Sequence, residues 1–86
     1  MAQQFTLGKQ ITVSLLRDYV IEHKVDKGDS IVLSPLNYEH IIEEMKHSPE
    51  GISVPVKILG VLIAKDSTHS VETGKIQIVK NENLNQ

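Results

Sequence analysis

The chain has no cysteine and no tryptophan, and Phe5, Tyr19 and Tyr38 are the only aromatic side chains among its 86 residues. Without a thiol, a disulfide framework, a zinc knuckle, a cysteine nucleophile and a redox pair are all excluded. A surplus of either charge is also missing: nine basic against eleven acidic residues leave a formal net charge of −2. Nucleic-acid binders neutralise phosphates with clustered lysine and arginine, and this balance argues against that class. Long apolar runs are absent too. The longest, Ile58 to Ala64, is strand-sized, far below the roughly 18 residues that a spanning helix needs. The opening Met1-Ala2-Gln3-Gln4-Phe5-Thr6 has neither the basic nor the apolar region of a signal peptide. The expected location is cytoplasmic, without a membrane partner.

What is present fits a folded domain. Hydrophobic residues make up 40% and charged residues 23% of the chain, a globular composition and not a disordered one. A chain of this length hides only about 60–65% of the surface of its unfolded form, so one modest core is expected. Residues 1–80 read as that single domain, followed by a polar tail at 81–86.

Residues 12–24 read as an amphipathic helix. At about 100° per residue, Leu15, Leu16, Tyr19, Val20 and His23 share one side, and Ile21 is an apolar stray on the other. The segment Val25 to Asp29 ends it, with Gly28 able to take positive φ. Ser30-Ile31-Val32-Leu33-Ser34 is β-branched and does not alternate, as a strand covered on both faces would be. Pro35 suits a first helical position and Ser34 the N-cap before it. A second helix over 36–47 turns Tyr38, Ile41, Ile42 and Met45 inward and leaves Asn37 and the charged residues outside. Ile52, Val54, Val56 and Ile58 then alternate with Ser53, Pro55 and Lys57 as a half-buried strand, and Pro55 marks it as an edge. At Leu59-Gly60-Val61 the parity slips, so that Leu59, Val61 and Ile63 share a face, which suggests a bulge or sharp bend. A polar loop from Asp66 to Gly74 leads to a last strand at 75–80. The order predicts an α+β fold: two helices packed on a three- or four-stranded antiparallel or mixed sheet that ends in a β-meander.

Four groups of residues carry chemistry worth weighing. His40, Glu44 and His47, with Glu43, fall along one side of the second helix, and imidazole and carboxylate are zinc ligands. The histidines are seven apart and not four, as the metalloprotease motif requires, and the face lies opposite the apolar stripe. A solvated face is therefore the plainer reading, and a ligand- or metal-binding module the alternative. Asp66-Ser67-Thr68-His69-Ser70 places carboxylate, hydroxyl and imidazole in one loop. A small hydrolase stands third, since neighbours in a loop are seldom held as a triad and no nucleophile elbow is present. Asp26, Asp29 and Ser30 offer oxygens to a cation but lack calcium-loop spacing. For protein partners the leads are Ile21, the edge at Val54 and Pro55, and the loop residue His69. Nothing in the sequence calls for a cofactor.

The order of these segments resembles the C-terminal part of tailed-phage major capsid proteins. The resemblance runs from the helix with Leu15-Leu16 through Ile31-Val32-Leu33-Ser34-Pro35-Leu36-Asn37-Tyr38, then Ile58-Leu59-Gly60-Val61-Leu62-Ile63, Val71, Gly74 and Ile76. It covers most of residues 12–80 through short, mostly apolar motifs. Ser34 stands where the family commonly has asparagine, and Leu62 where it has proline. The resemblance implies a structural or assembly role in a phage- or prophage-related setting and lends no catalytic residue. Together these readings predict a small non-enzymatic structural or protein-interaction module that self-associates through a sheet edge.

Overall fold

A computed structural model describes residues 3–8, 10–52 and 55–80; Val54 and the tail at 81–86 lie outside the described residues. The first helix, α1, runs Val13–Glu22. Thr12 caps it, its hydroxyl accepting from the Leu15 N–H at 3.1 Å and satisfying a first-turn donor that has no partner inside the helix. His23 is the C-cap, and Lys24 turns the chain at φ 52°, ahead of Gly28 at φ 94°. The second helix, α2, runs Pro35–Lys46 with Pro35 in its first turn. Ser34 is its N-cap, as expected, accepting from the Asn37 N–H at 3.3 Å.

Five strands complete the chain: β1 (Gln3–Thr6), β2 (Ser30–Leu33), β3 (Lys57–Ile58), β4 (Val61–Lys65) and β5 (Lys75–Val79). They form one mixed sheet in the order β1-β5-β2-β4-β3. The fold is α+β, two helices on one sheet, as the sequence predicts, but three details differ. The last strands are not a meander. β2 lies between β4 and β5, parallel to the first and antiparallel to the second. α2 provides the long connection that a parallel pair requires, and β2 takes the centre of the sheet. Second, Gln3–Thr6 is a strand, with Phe5 opposite Ile76. Third, of the strand expected over 52–58, the described residues form only Lys57–Ile58. Pro55 precedes it in a bend, while the Val56 carbonyl accepts from the Ile63 N–H at 2.9 Å.

The parity slip at Leu59-Gly60 is a full reversal. Ile58 pairs with Val61 across a two-residue turn whose φ values are 53° and 85°. Positive φ at both positions is the hairpin geometry whose twist matches the flanking strands. Leu59 is therefore exposed in the turn and does not share the face of Val61 and Ile63. A Cβ on Gly60 would lie 2.8 Å from the Lys27 Cγ, so close approach as well as φ favours glycine there.

Burial alternates along the central strands. Ile31, Leu33, Val61, Ile63 and Ile76 face the helices and meet Leu16, Tyr19, Val20 and Ile41 in one cluster. Ser30, Val32, Leu62, Ala64 and Gln77 point the other way and are half-buried. Tyr38, Ile42 and Met45 pack against the cluster from α2. Asn37, expected on the outer side of that helix, is instead buried at 4% exposure. Its first-turn position aims it at the sheet end, where it finds partners in the 66–74 loop.

Candidate functional site

The 66–74 loop crosses the end of β2 and is pinned at both ends. Asp66 accepts from the Val71 N–H at 2.7 Å, from the Thr68 N–H at 3.0 Å and from the Thr68 hydroxyl at 2.7 Å. The Thr68 and Ser70 hydroxyls meet at 2.6 Å, and the Gln4 amide donates to the Ser70 carbonyl at 2.8 Å. At the far end the Asn37 Oδ1 accepts from the Gly74 N–H at 2.8 Å. A triad would need the carboxylate to orient the imidazole. Here Asp66 is committed to loop backbone and to Thr68, and His69 stands exposed at φ 60° without a bond to Asp66 among the described residues.

Those hydrogen bonds favour the ionised carboxylate, that from Val71 most and those from Thr68 next, and they hold the Asp66 carboxyl down at about 2. An unfolded aspartate titrates at about 3.9. The stability that this carboxylate confers is thus fully present above about pH 4 and is lost as pH falls through about 2, because the unfolded chain takes up its proton first. Asp66→Asn is expected to be less stable than the parent at pH 7 and to lose stability less steeply between about pH 4 and pH 2. Urea midpoints collected down that range by circular dichroism check this; parallel pH slopes for parent and variant would refute it.

The α2 residues His40, Glu44 and His47 do not converge. His40 Nε2 meets the Gln10 Nε2 at 2.9 Å, and Glu44 Oε1 accepts from the Val13 N–H at 3.1 Å. Glu44 thereby satisfies an otherwise unpaired donor at the N-terminus of α1, where the helix dipole also favours a carboxylate. His47 sits 3.7 Å from Glu43. All three residues are exposed, and two of them also tie α2 to Gln10 and to the first residue of α1. Among the described residues no three His, Asp or Glu side chains are gathered as a metal site. Asp26 and Asp29 do hold a cation, and it is the chain's own. Lys80 Nζ lies 2.8 Å from the buried Asp29 carboxylate and 3.8 Å from Asp26. The Asp29 hydrogen bond raises the Lys80 pKa above the usual lysine value, so the stability this contact lends is present below that value and fades as pH rises beyond it.

The residues read as leads for protein partners lie on separate elements. Ile21 is 60% exposed on the outer side of α1, Pro55 is exposed just before β3, and His69 is at the loop tip. Val54 is outside the described residues. The two ends of the sheet, β1 and β3, differ in kind. β3 has two residues, one of them Lys57, and Pro55 stands beside it; shortness, lysine and proline are devices that discourage a further strand. β1 has four residues, Gln3-Gln4-Phe5-Thr6, with no charge and no proline. Sequence reasoning missed this edge because two glutamines and one phenylalanine show no readable alternation; the only available signal was the absence of charge.

Beside β1 lies a groove of about 320 Å³, walled by Phe5, Thr6 and Leu7 on one side and by Leu15, Asp18, Tyr19, Glu22 and His23 of α1 and its cap on the other. Its aromatic groups form a row. Phe5 and Tyr19 have centroids 6.0 Å apart at 48°, and Tyr19 and His23 stack at 4.1 Å and 23°. Burial pushes the Tyr19 phenol above its ordinary pKa. A second cavity of about 410 Å³ is lined by Arg17, Glu44, Met45, Glu50 and Lys57, among others. A third, of about 400 Å³, lies along Leu36, Asn37, His40 and Thr73.

The class defined by these features is a mixed-sheet α+β domain with one guarded and one unguarded edge. Comparison with family models, with curated proteins and with solved structures finds no match to the chain.

Proposed function

We propose that the chain is a small structural, protein-interaction module that self-associates by pairing the β1 strands of two copies. The observation that carries this reading is the contrast between the two edges. One is short, contains a lysine and has a proline beside it, and the other, among the described residues, presents unpaired strand backbone with no charge of its own to repel a partner. A second copy is the occupant this edge suits, because β1 against β1 in antiparallel register is closed by a two-fold axis and brings no like charges together. The result is one continuous sheet running through both copies. The resemblance to the C-terminal part of phage capsid proteins supports the same reading: it implies assembly, in a phage- or prophage-related setting, and contributes no catalytic group.

Sedimentation velocity over a concentration series tests the proposal. The parent is expected to move from monomer to dimer mass. Gln4→Lys with Thr6→Lys places like charges across the two-fold and is expected to weaken association by about tenfold or more, with an unchanged circular dichroism spectrum. A parent that stays monomeric at the highest concentration overturns the reading, and so does a double variant that dimerises as well as the parent.

A further inference from the structure

We infer that the groove between β1 and the C-terminal half of α1 is a binding site for an arginine side chain of a partner polypeptide. Three observations converge on a planar organic cation. Phe5, Tyr19 and His23 form a row of rings along the groove; Tyr19 is covered between the other two, while Phe5 and His23 are exposed, and a guanidinium stacks on exposed aromatic rings through cation–π attraction. Asp18 and Glu22, one helical turn apart on the same wall, have no ion-pair or hydrogen-bond partner among the described residues. Tyr19 is only 8% exposed, and its hydroxyl has no hydrogen-bond partner among the described residues. A buried phenol normally finds one, so this groove-lining residue carries a hydroxyl whose hydrogen bonding a ligand can complete.

The placement of the acids strengthens the argument. Helix C-termini favour positive charge, yet the last turn of α1 carries no basic residue while Asp18 and Glu22 occupy its C-terminal half. Guanidinium is favoured over ammonium because its five donors can reach both carboxylates and the phenol while its plane lies on a ring; an ammonium is compact and strongly hydrated. The source is a polypeptide because one wall of the groove is β1, the unguarded edge, along which an extended segment can lie and deliver the side chain. The inference shares that edge with self-association, so a partner segment and a second copy compete for it; a lone arginine probe does not need the edge, and either reading can fail without the other.

Titration of the ¹⁵N-labelled protein with N-acetyl-arginine N-methylamide tests the site. Amide shifts are expected to cluster at residues 5–7 and 15–23, with a dissociation constant on the order of 1 mM. The lysine analogue is expected to bind several-fold more weakly, and the neutral citrulline analogue not at all. Asp18→Asn with Glu22→Gln, both on exposed positions, is expected to abolish the response while leaving the remaining spectrum in place. Tyr19→Phe, which removes only the hydroxyl, is expected to weaken it severalfold. A five-residue extended peptide with a central arginine is expected to bind at least about tenfold tighter than the single residue, through added strand pairing. Equal response to citrulline, or a response undiminished in the Asp18/Glu22 variant, overturns the site. A peptide no tighter than the single residue overturns the polypeptide source.

Discussion

Truncating Ile31 to alanine is expected to cost about 3–4 kcal/mol of folding stability, within the range found for large-to-small changes at fully buried sites. Ile31 has no exposed surface and sits in the central strand, opposite Ile63 on one side and Ile78 on the other. Both neighbouring strands are hydrogen-bonded to β2, so the backbone has little freedom to close the cavity, and the lost contacts are not recovered. A domain of this length has a total stability on the order of 5–12 kcal/mol, so the variant is expected to be marginal. The next residue provides the control. Val32 points to the face of the sheet on which no helix lies among the described residues, and it is only half-buried. Val32→Ala is expected to cost about 1 kcal/mol or less, since fewer methyl groups leave a partly wet environment. Urea denaturation of the two variants reads the difference; similar costs at both positions would mean that the helices do not cover the Ile31 face alone.

That contrast follows from a period of two, which is also why much of the fold was legible. Leu16, Tyr19 and Val20 at helical spacing, Ser34-Pro35 as cap and first turn, and Ile76 and Ile78 in alternation are local patterns with local physical causes. What they do not contain is which strand lies beside which. Ile31-Val32-Leu33 reads as a strand covered on both faces, whereas its burial alternates and Val32 is only half-buried, on the face where no helix lies among the described residues; its neighbours at 61–65 and 75–79 are chosen by the α2 crossover and by burial, both tertiary. β1 was illegible for the same reason: Gln4 and Phe5 become strand only by pairing with β5. The Leu59 position shows a different limit. A leucine at positive φ contradicts its own preference, and the reversal is imposed by the pairing of Ile58 with Val61.

The candidate sites divide along the same line. Spacing correctly stacked His40, Glu44 and His47 on one side of a helix, but the side chains were claimed by Gln10, the Val13 N–H and Glu43. Asp29 finds its cation in Lys80, 51 residues away in the chain. The aromatic groove needed Phe5, Tyr19 and His23 to be brought together from two elements, one of which had not been recognised. Of its members, Tyr19 and His23 share a side of the helix already in the sequence, and nothing there joins Phe5 to them.

Asn37→Ala is expected to cost about 2–3 kcal/mol, a large effect for a polar side chain on a helix. The Asn37 Oδ1 accepts from the Gly74 N–H at 2.8 Å and from the Ser34 hydroxyl at 3.0 Å, and all three residues are buried. Removing the acceptor strands the Gly74 donor away from water, and a buried amide without a partner costs more than the bond itself contributed. The Ser34 cap survives, because its oxygen still accepts from the backbone N–H of residue 37. Asn37→Asp separates the two effects. It keeps an acceptor facing Gly74 and adds a negative charge in the first turn of α2, where the dipole favours it, so its cost is expected to stay below about 1 kcal/mol. Gly74 is also where β1 meets β5, through the Leu7 N–H at 2.9 Å from its carbonyl. Losing the Asn37 anchor should therefore loosen that junction before the rest of the sheet. Hydrogen exchange is expected to accelerate at Leu7, Gly8 and Gly74 in Asn37→Ala while the amides inside α2 keep their protection. A uniform acceleration along the whole chain would mean that Asn37 contributes only to global stability and does not hold the β1 edge in place.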